Sequence, residues 1–210
     1  AIPIAYDLYR QAMLLLANYY TNEISNDTVL KLAKEYFELG SYAGFSGQNK
    51  YNYHIVLSKL GYKEKAFEEL EIAAKMDFGP ALYWIGNIYL DKNSPYYDID
   101  KGINSMHRAR EQNIKGASFA LSRIYIDKKH IKKDLNRSNE YLIESANKKF
   151  PRAVFTCGAN YCDGTEGFKK NQVLGKKLLV KSEAVGYDYA NFIIAHLSFS
   201  DPILFYPSPK

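Results

Sequence analysis

The sequence has few of the residues on which disulfide-linked, metal-centred or disordered proteins depend. Its 210 residues include only 2 cysteines, too few for a disulfide framework or a four-cysteine zinc site. With 7 prolines, 13 glycines and 47% hydrophobic residues, the chain can bury a core and does not belong to the disordered class. No uninterrupted apolar run reaches the roughly 18 residues of a membrane-spanning helix.

Sequence motifs of catalytic and cofactor sites are also missing. The 4 histidines are scattered, without an HExxH motif or close ligand spacing. There is no Gly-rich phosphate loop and no Gly-x-Ser-x-Gly motif. The acidic cluster of Glu68, Glu69 and Glu71 is interpreted as a solvated helix face. We therefore expect no enzymatic activity, no cofactor and no bound metal.

The two cysteines are interpreted as small buried hydrophobes. Cys157 stands where other copies of a repeat, described below, have Leu or Ile, and Cys162 stands where they have Leu90 and Ile126. Five residues apart on a helix, the two side chains would point about 140° away from each other, which excludes a disulfide within the helix.

Charge gives a weak indication about partners. The formal net charge is +5, and the densest basic stretch is Asp127-Lys-Lys-His-Ile-Lys-Lys-Asp134. This stretch falls in a predicted loop between helices, where solvated charge is ordinary. Because binding to a nucleic-acid backbone needs several converging Lys or Arg side chains, we do not expect nucleic acid as the partner.

What the chain does contain is a repeat. Its copies are Ala81-Leu-Tyr-Trp-Ile-Gly-Asn-Ile-Tyr89, Ala117–Tyr125, Ala153–Tyr161 and, in part, Ala190–Ser198. The leading alanines lie 36, 36 and 37 residues apart, and an earlier copy spans Ala12–Tyr20. This period indicates stacked helical hairpins. The predicted fold is all-α, a right-handed α-solenoid of about five to six antiparallel hairpins.

Each repeat predicts an A helix, a polar loop and a B helix. Before the regular copies we expect helices over 4–20 and 28–39, a loop over 41–48 and a helix containing Tyr53, Val56 and Leu57; an alternative register would place the repeat helix at 43–51. The A helices are predicted at 80–90, 116–126 and 152–161. The B helices begin at Asp98, Asp134 and Asn171, whose side chains suit an N-cap, and end near Asn113, Lys149 and Gly186.

Two repeat positions carry structural information. The fourth residue after the leading alanine is a predicted core position, and the fifth is always small, which lets the helices of a hairpin approach closely. The core set is Leu16, Ile85, Leu121, Cys157 and Ile194, and the small set is Ala17, Gly86, Ser122, Gly158 and Ala195.

These positions resemble the Sel1-like repeat family, a relative of tetratricopeptide repeats. In one copy the resemblance is carried by Ala81, Ile85-Gly86, Tyr89, Asp98, Lys101-Gly102, Arg108-Ala109 and Asn113. The usual Gly-x-Gly of the loop is missing, and Asn113 and Lys149 replace the terminal glycine. The resemblance implies one repeat domain over 1–210, with divergent tetratricopeptide-like hairpins over 1–77, Sel1-like repeats over 78–199 and a capping tail over 200–210.

A ladder of residues is the candidate partner-binding surface. Two positions on the predicted concave face of the A helices form it, and together they comprise Tyr83, Asn87, Phe119, Arg123, Phe155, Phe192 and His196. One interpretation is a groove with an aromatic floor for a peptide or a partner helix. The other is that the rings pack into the next repeat.

The expected function is a non-enzymatic adaptor or scaffold that binds a peptide or another protein through the A-helix surface. Three alternatives stay open, namely an inhibitory antidote to a toxin, a Sel1-type hydrolase or peptidoglycan-linked enzyme, and an RNA-binding helical repeat protein. A cytoplasmic location is the expectation. A periplasmic or secreted location is the alternative if a signal peptide preceded Ala1.

Overall fold

The computed structural model describes residues 2–21, 27–40, 46–127 and 132–187. These residues form α-helices and no strand, which confirms the all-α prediction. None of the described helices is both long and apolar enough to cross a membrane. In chain order they are α1 (Ile2–Thr21), α2 (Asp27–Gly40), α3 (Gly47–Lys59), α4 (Lys63–Lys75), α5 (Gly79–Leu90), α6 (Ile99–Glu111), α7 (Lys115–Ile126), α8 (Leu135–Asn147), α9 (Pro151–Asp163) and α10 (Gln172–Ala184).

The helices pair as the repeat predicts, within two compact units, Ala1–Gln112 and Asn113–Lys210. In the first unit α1 packs on α2, α3 on α4 and α5 on α6, and the second helix of each of the first two hairpins contacts the hairpin that follows. In the second unit α7 packs on α8, α9 on α10, and α8 contacts α9. The division at 77 and 199 stays a prediction.

The start of each B helix follows the cap chemistry expected from the sequence. Each cap side chain accepts a hydrogen bond of 3.0 Å from the main-chain N–H three residues later. The main-chain N–H of each cap residue donates to the carbonyl of the tyrosine that ends the repeat motif. The pairs are Asp98 with Tyr89 (2.9 Å), Asp134 with Tyr125 (2.9 Å) and Asn171 with Tyr161 (2.7 Å).

The residue that terminates each of the last four hairpins has a left-handed backbone conformation, whether or not it is glycine. The backbone φ is 59° at Asp77, 63° at Asn113, 60° at Lys149 and 90° at Gly186. At Lys149 the main-chain N–H donates to Ala146, as the Schellman pattern requires. The replacement of the family's terminal glycine therefore leaves the turn geometry unchanged.

The predicted core positions are buried. Leu16, Ile85, Leu121 and Cys157 have at most 4% of their surface exposed. Ile194, the fifth member of the set, lies outside the described residues. Because these side chains recur one repeat apart, each hairpin contributes the same face to the core of its unit.

The small positions form a seam between the two helices of a hairpin. A methyl group on Gly158 of α9 would lie 3.0 Å from the carbonyl oxygen of Gly175 on α10. In the preceding hairpin the hydroxyl of Ser138 donates to the carbonyl of Ser122 at 2.9 Å. The sequence predicted one small residue per hairpin, whereas the structure shows that the facing residue on the B helix is also small.

The seam does not extend to the first copy. Ala17 on α1 is exposed, so the prediction that it lies between the two helices of its hairpin is wrong, although α1 and α2 pack on each other. In the hairpin of α5 and α6, Gly86 faces Gly102, Ser105 and Met106. The regular repeat therefore begins after α1, which agrees with the weaker match of the N-terminal copies to the repeat pattern.

The structure decides part of the choice between a loop over 41–48 and a helix over 43–51, since α3 begins at Gly47. Ser46 caps α3 by accepting from the N–H of Asn49 at 3.2 Å, and α3 pairs with α4 through the tight turn at Gly61. Residues 41–45, the predicted helix over 190–199 and the tail over 200–210 lie outside the described residues.

The acidic cluster on α4 is not a uniformly solvated face. Lys50 and Glu69 form an ion pair of 2.7 Å, with side chains only 10% and 12% exposed. Glu71 accepts from the hydroxyl of Tyr89 at 3.2 Å. Only Glu68 is exposed as the sequence predicted, because its two neighbours turn toward adjoining helices.

Candidate functional site

The predicted ladder begins on α5. The ring of Tyr83 is half-buried and lies edge-on to that of Trp84, with 6.1 Å between the centroids. The Nδ2 of Asn87 donates to the main-chain carbonyl of Tyr83 at 2.8 Å. One N–H of the Asn87 side chain is thus held on the helix, which leaves its Oδ1 and its second N–H for a ligand.

Phe119, the next aromatic member, packs inside its own unit. Its centroid lies 5.5 Å from that of Phe150, and the guanidinium carbon of Arg152 lies 5.7 Å from the ring. Phe119 belongs to the partly buried side chains around the core of the second unit. Arg123, one helical turn later, is exposed.

Phe155 repeats this arrangement. Its centroid lies 4.9 Å from that of Tyr187. Phe150 and Tyr187 each precede the leading alanine of the next copy by three residues, so both ladder rings occupy contacts between successive repeats. These contacts favour packing for the two rings, while the ladder as a binding surface stays a prediction. Phe192 and His196 lie outside the described residues.

A solvent-open cavity of about 550 Å³ lies in the first unit, between α3, α4, α5 and the segment 91–98. Cavities of this volume are typical of ligand sites. On one side Phe67 and Tyr96 stack with 3.6 Å between centroids and 3° between planes. Trp84, which is 51% exposed, and Ile88 line the cavity as well. Its apolar surface would be desolvated by a ligand.

His54 gives this cavity a neutral acceptor. Its Nδ1 lies 2.8 Å from the carbonyl oxygen of Ala66, which can only accept, so Nδ1 carries the proton. Burial lowers the pKa of His54 and outweighs the opposing effect of that hydrogen bond. The ring is therefore neutral at pH 7, and Nε2 presents a lone pair.

The charged lining of the cavity is mainly acidic. Glu64 and Asp91 contribute carboxylates and Lys63 contributes an ammonium group. The Oδ1 of Asp91 accepts from the main-chain N–H of Asn93 at 3.0 Å, which orders the start of the segment 91–98. With His54 neutral, two carboxylates and one ammonium give the cavity a formal charge of −1.

Of the predicted site residues, Asn87 lines this cavity, whereas its aromatic walls were not predicted. Trp84 occupies a repeat position where two other copies carry Ala120 and Thr156, so the repeat offered no pattern there. Phe67 and Tyr96 come from a helix and a loop 29 residues apart. The available signal was that Trp84 is the single tryptophan of the chain.

The thiols lie elsewhere and behave as packing groups. Both cysteines are free and buried, and burial raises the pKa of Cys157 to about 12. Burial also raises the pKa of Cys162. A thiol that stays protonated is a poor nucleophile and a poor metal ligand. Within the described ranges, no cluster of His, Cys, Asp or Glu has the geometry of a metal site.

Neither the protein-family models nor the curated proteins include a match to this sequence. Solved structures do match it. A Sel1 repeat protein from Oxalobacter formigenes superposes with a TM-score of 0.73 and 16% identity, covering 100% of this chain and 94% of that protein.

Two further structures have the same architecture. A Sel1 repeat protein from Klebsiella pneumoniae subsp. pneumoniae gives a TM-score of 0.53 at 17% identity, covering 91% of this chain and 93% of that one. A protective antigen present in uropathogenic Escherichia coli strains, displaying an SLR fold, gives 0.69 at 16% identity. The match covers 90% of this chain but 41% of the antigen. The repeat spacing, the capped B helices and these superpositions together establish that the chain has the Sel1-like repeat fold.

Proposed function

We propose that this protein is a non-enzymatic interaction module that binds a peptide segment of a partner protein in the cavity around Trp84. The observation that carries the proposal is a half-exposed tryptophan in the lining of an open cavity of ligand size. Tryptophan is enriched among the residues that dominate binding energy at protein interfaces. Arrays of helical hairpins commonly bind partners through such surfaces.

The geometry around His54 supports binding over catalysis. His54 and Ser58 both line the cavity, which invites comparison with a serine hydrolase. In a Ser-His-Asp triad a carboxylate holds the histidine Nδ1 and stabilises the imidazolium that forms. Here the main-chain carbonyl of Ala66 takes that place. A general base must accept a proton during the reaction, and burial of His54 lowers its pKa and so disfavours the protonated form.

The proposal is tested by capturing a partner from the native host with the full chain, then purifying that partner and measuring its affinity. Trp84→Ala should weaken binding by about 30-fold, which corresponds to roughly 2 kcal/mol at a central interface residue. Val173→Ala on α10 is the matched control, because Val173 is also an exposed apolar residue but lies in the other unit. A partner that binds Trp84→Ala with wild-type affinity would contradict the proposal.

A further inference from the structure

The cavity around Trp84 offers several hydrogen-bond acceptors to a ligand, beside the donors of Lys63, Ser58 and the indole N–H. Asn87 uses one N–H of its Nδ2 on the carbonyl of Tyr83, which leaves Oδ1 and the second N–H. His54 uses its Nδ1–H on a main-chain carbonyl and presents Nε2. Glu64 and Asp91 present carboxylate oxygens. Since a buried acceptor that lacks a donor is costly, a ligand that covers these acceptors gains by bringing donors to them.

The charge of the cavity selects a cationic ligand. Two carboxylates face one ammonium group, that of Lys63, in the described lining. An anionic ligand would be repelled by Glu64 and Asp91. A neutral apolar ligand would exclude water from the carboxylates without donating hydrogen bonds to them, which is also unfavourable.

The aromatic surfaces narrow the choice to a planar cation. The face of an indole attracts a cation within about 6 Å of its centre, and a guanidinium group also stacks on aromatic rings. Trp84 provides a half-exposed indole, and the parallel pair of Phe67 and Tyr96 provides a second flat surface. An aliphatic stem passing between such surfaces would be desolvated while its charged end reaches the carboxylates.

We propose that the cavity receives an arginine side chain from the partner's peptide segment. The guanidinium group lies against Trp84 and donates to the carboxylates of Glu64 and Asp91. Arginine fits because it has five N–H donors, no acceptor and a planar charged group, whereas lysine offers a compact charge with three donors. This assignment rests on the proposed function and adds the chemistry of the bound segment.

The test uses a library of random twelve-residue peptides displayed against the full chain, followed by affinity measurements on the enriched peptides. Binding is followed by the fluorescence of Trp84, the single tryptophan in the sequence, with peptides that lack tryptophan. We expect the enriched peptides to share an arginine. Replacing that arginine by citrulline, which has nearly the same shape but no charge, should weaken binding at least tenfold, and lysine should weaken it severalfold.

The protein side is tested with a double substitution, Glu64→Gln with Asp91→Asn. Asparagine keeps an oxygen that can accept from the N–H of Asn93, so the loop geometry is preserved. The matched control is Glu68→Gln with Asp100→Asn, two exposed acids outside the cavity lining whose loss changes the net charge equally. The first pair should weaken arginine-peptide binding at least tenfold, and the control should change it less than twofold.

Three results would overturn the arginine assignment. They are enriched peptides without arginine, an unchanged affinity on substitution by citrulline, and equal losses in the two double variants. If a purified partner still depends on Trp84 in any of these cases, the proposed function survives and only the chemistry assigned to the segment is wrong. If the partner does not depend on Trp84, the proposed function itself fails.

Discussion

The two units share one hairpin design but use their aromatic side chains differently. In the second unit Phe119 and Phe155 contact Phe150 and Tyr187, which precede the next copy of the repeat. In the first unit Trp84 is half exposed beside a cavity. The rings occupy different repeat positions, because Phe119 and Phe155 follow the leading alanine by two residues and Trp84 by three, a turn of about 100° around the helix. Tyr83, the first-unit counterpart of Phe119, is half-buried. The exposure of an aromatic residue on an A helix therefore depends on the helix face that it occupies and on the side chains that neighbouring segments supply.

The largest expected effect is a difference in the free energy of unfolding between variants of Phe119, which is packed, and Trp84, which is half exposed. Phe119→Ala should lower the free energy of unfolding by about 2–3 kcal/mol, less than for a fully buried phenylalanine because its ring is partly exposed. Trp84→Ala should cost less, about 1 kcal/mol, since half of the Trp84 surface is already exposed to solvent. Urea unfolding followed by far-UV circular dichroism measures both. Equal costs would remove the distinction between the two units.

The seams between the helices of a hairpin also differ between the two units. A methyl group on Gly175 would lie 2.7 Å from two backbone atoms, the N of Cys162 and the O of Gly158. On Gly86 it would lie 3.0 Å from the flexible end of Met106. We expect Gly175→Ala to destabilise the protein by about 1–3 kcal/mol. Gly86→Ala should be near neutral, because about 1 kcal/mol of helix propensity offsets its contact.

Denaturant titrations of both variants, with the wild type alongside, measure the seam effect. A Gly86→Ala protein that loses as much stability as Gly175→Ala would show that the first unit is as rigid at its seam as the second. Far-UV circular dichroism is the suitable probe because it reports on the helices of both units.

Acid should weaken the first unit through Glu38. Burial alone would raise the pKa of Glu38, but hydrogen bonds from Lys65, Lys34 and Tyr53 lower it to about 2. Because the pKa in the folded state lies below its unfolded value near 4.5, the stabilisation is complete above pH 4.5 and is lost as the pH falls toward 2. Glu38 is 36% exposed, so screening limits the effect to about 1 kcal/mol.

Thermal unfolding between pH 5 and pH 2.5, followed by Trp84 fluorescence, measures this effect in the first unit. Glu38→Gln should reduce the pH dependence. Glu68→Gln, on an exposed carboxylate, should leave it unchanged. A Glu38→Gln protein with the full acid sensitivity of the wild type would exclude Glu38 as its source.

The smallest expected effect is a gain in stability from glycine at the left-handed residues after α8 and α4. Lys149→Gly should stabilise the second unit by about 1 kcal/mol, because glycine adopts φ of 60° without steric cost. Asp77→Gly should gain less, since Asp77 also accepts from Arg108 and Gln112 at 2.8 Å each. Chemical denaturation of the two variants measures the difference. A larger gain at Asp77 would mean that its two hydrogen bonds contribute nothing.

The sequence predicted most of the fold because the signals involved are local. The N-caps at Asp98, Asp134 and Asn171 act over three residues, and the buried positions recur at a fixed interval. The ladder as a binding surface stays a prediction. Asn87 lines the observed cavity, but Phe119 and Phe155 pack between repeats, which the spacing of the copies could not distinguish from a groove.

By itself the sequence determined the hairpins, their caps and their buried faces, because helix periodicity and backbone hydrogen bonding depend on residues a few positions apart. Only the tertiary structure decided which polar and aromatic groups became available for binding. The pairing of Lys50 with Glu69, the contact of His54 with Ala66 and the stacking of Phe67 on Tyr96 join residues 12 to 29 positions apart. The first two contacts depend on how α3 packs on α4, and the third depends on how that hairpin meets the segment 91–98. Over such separations the spacing of residues along the chain does not indicate which side chains meet.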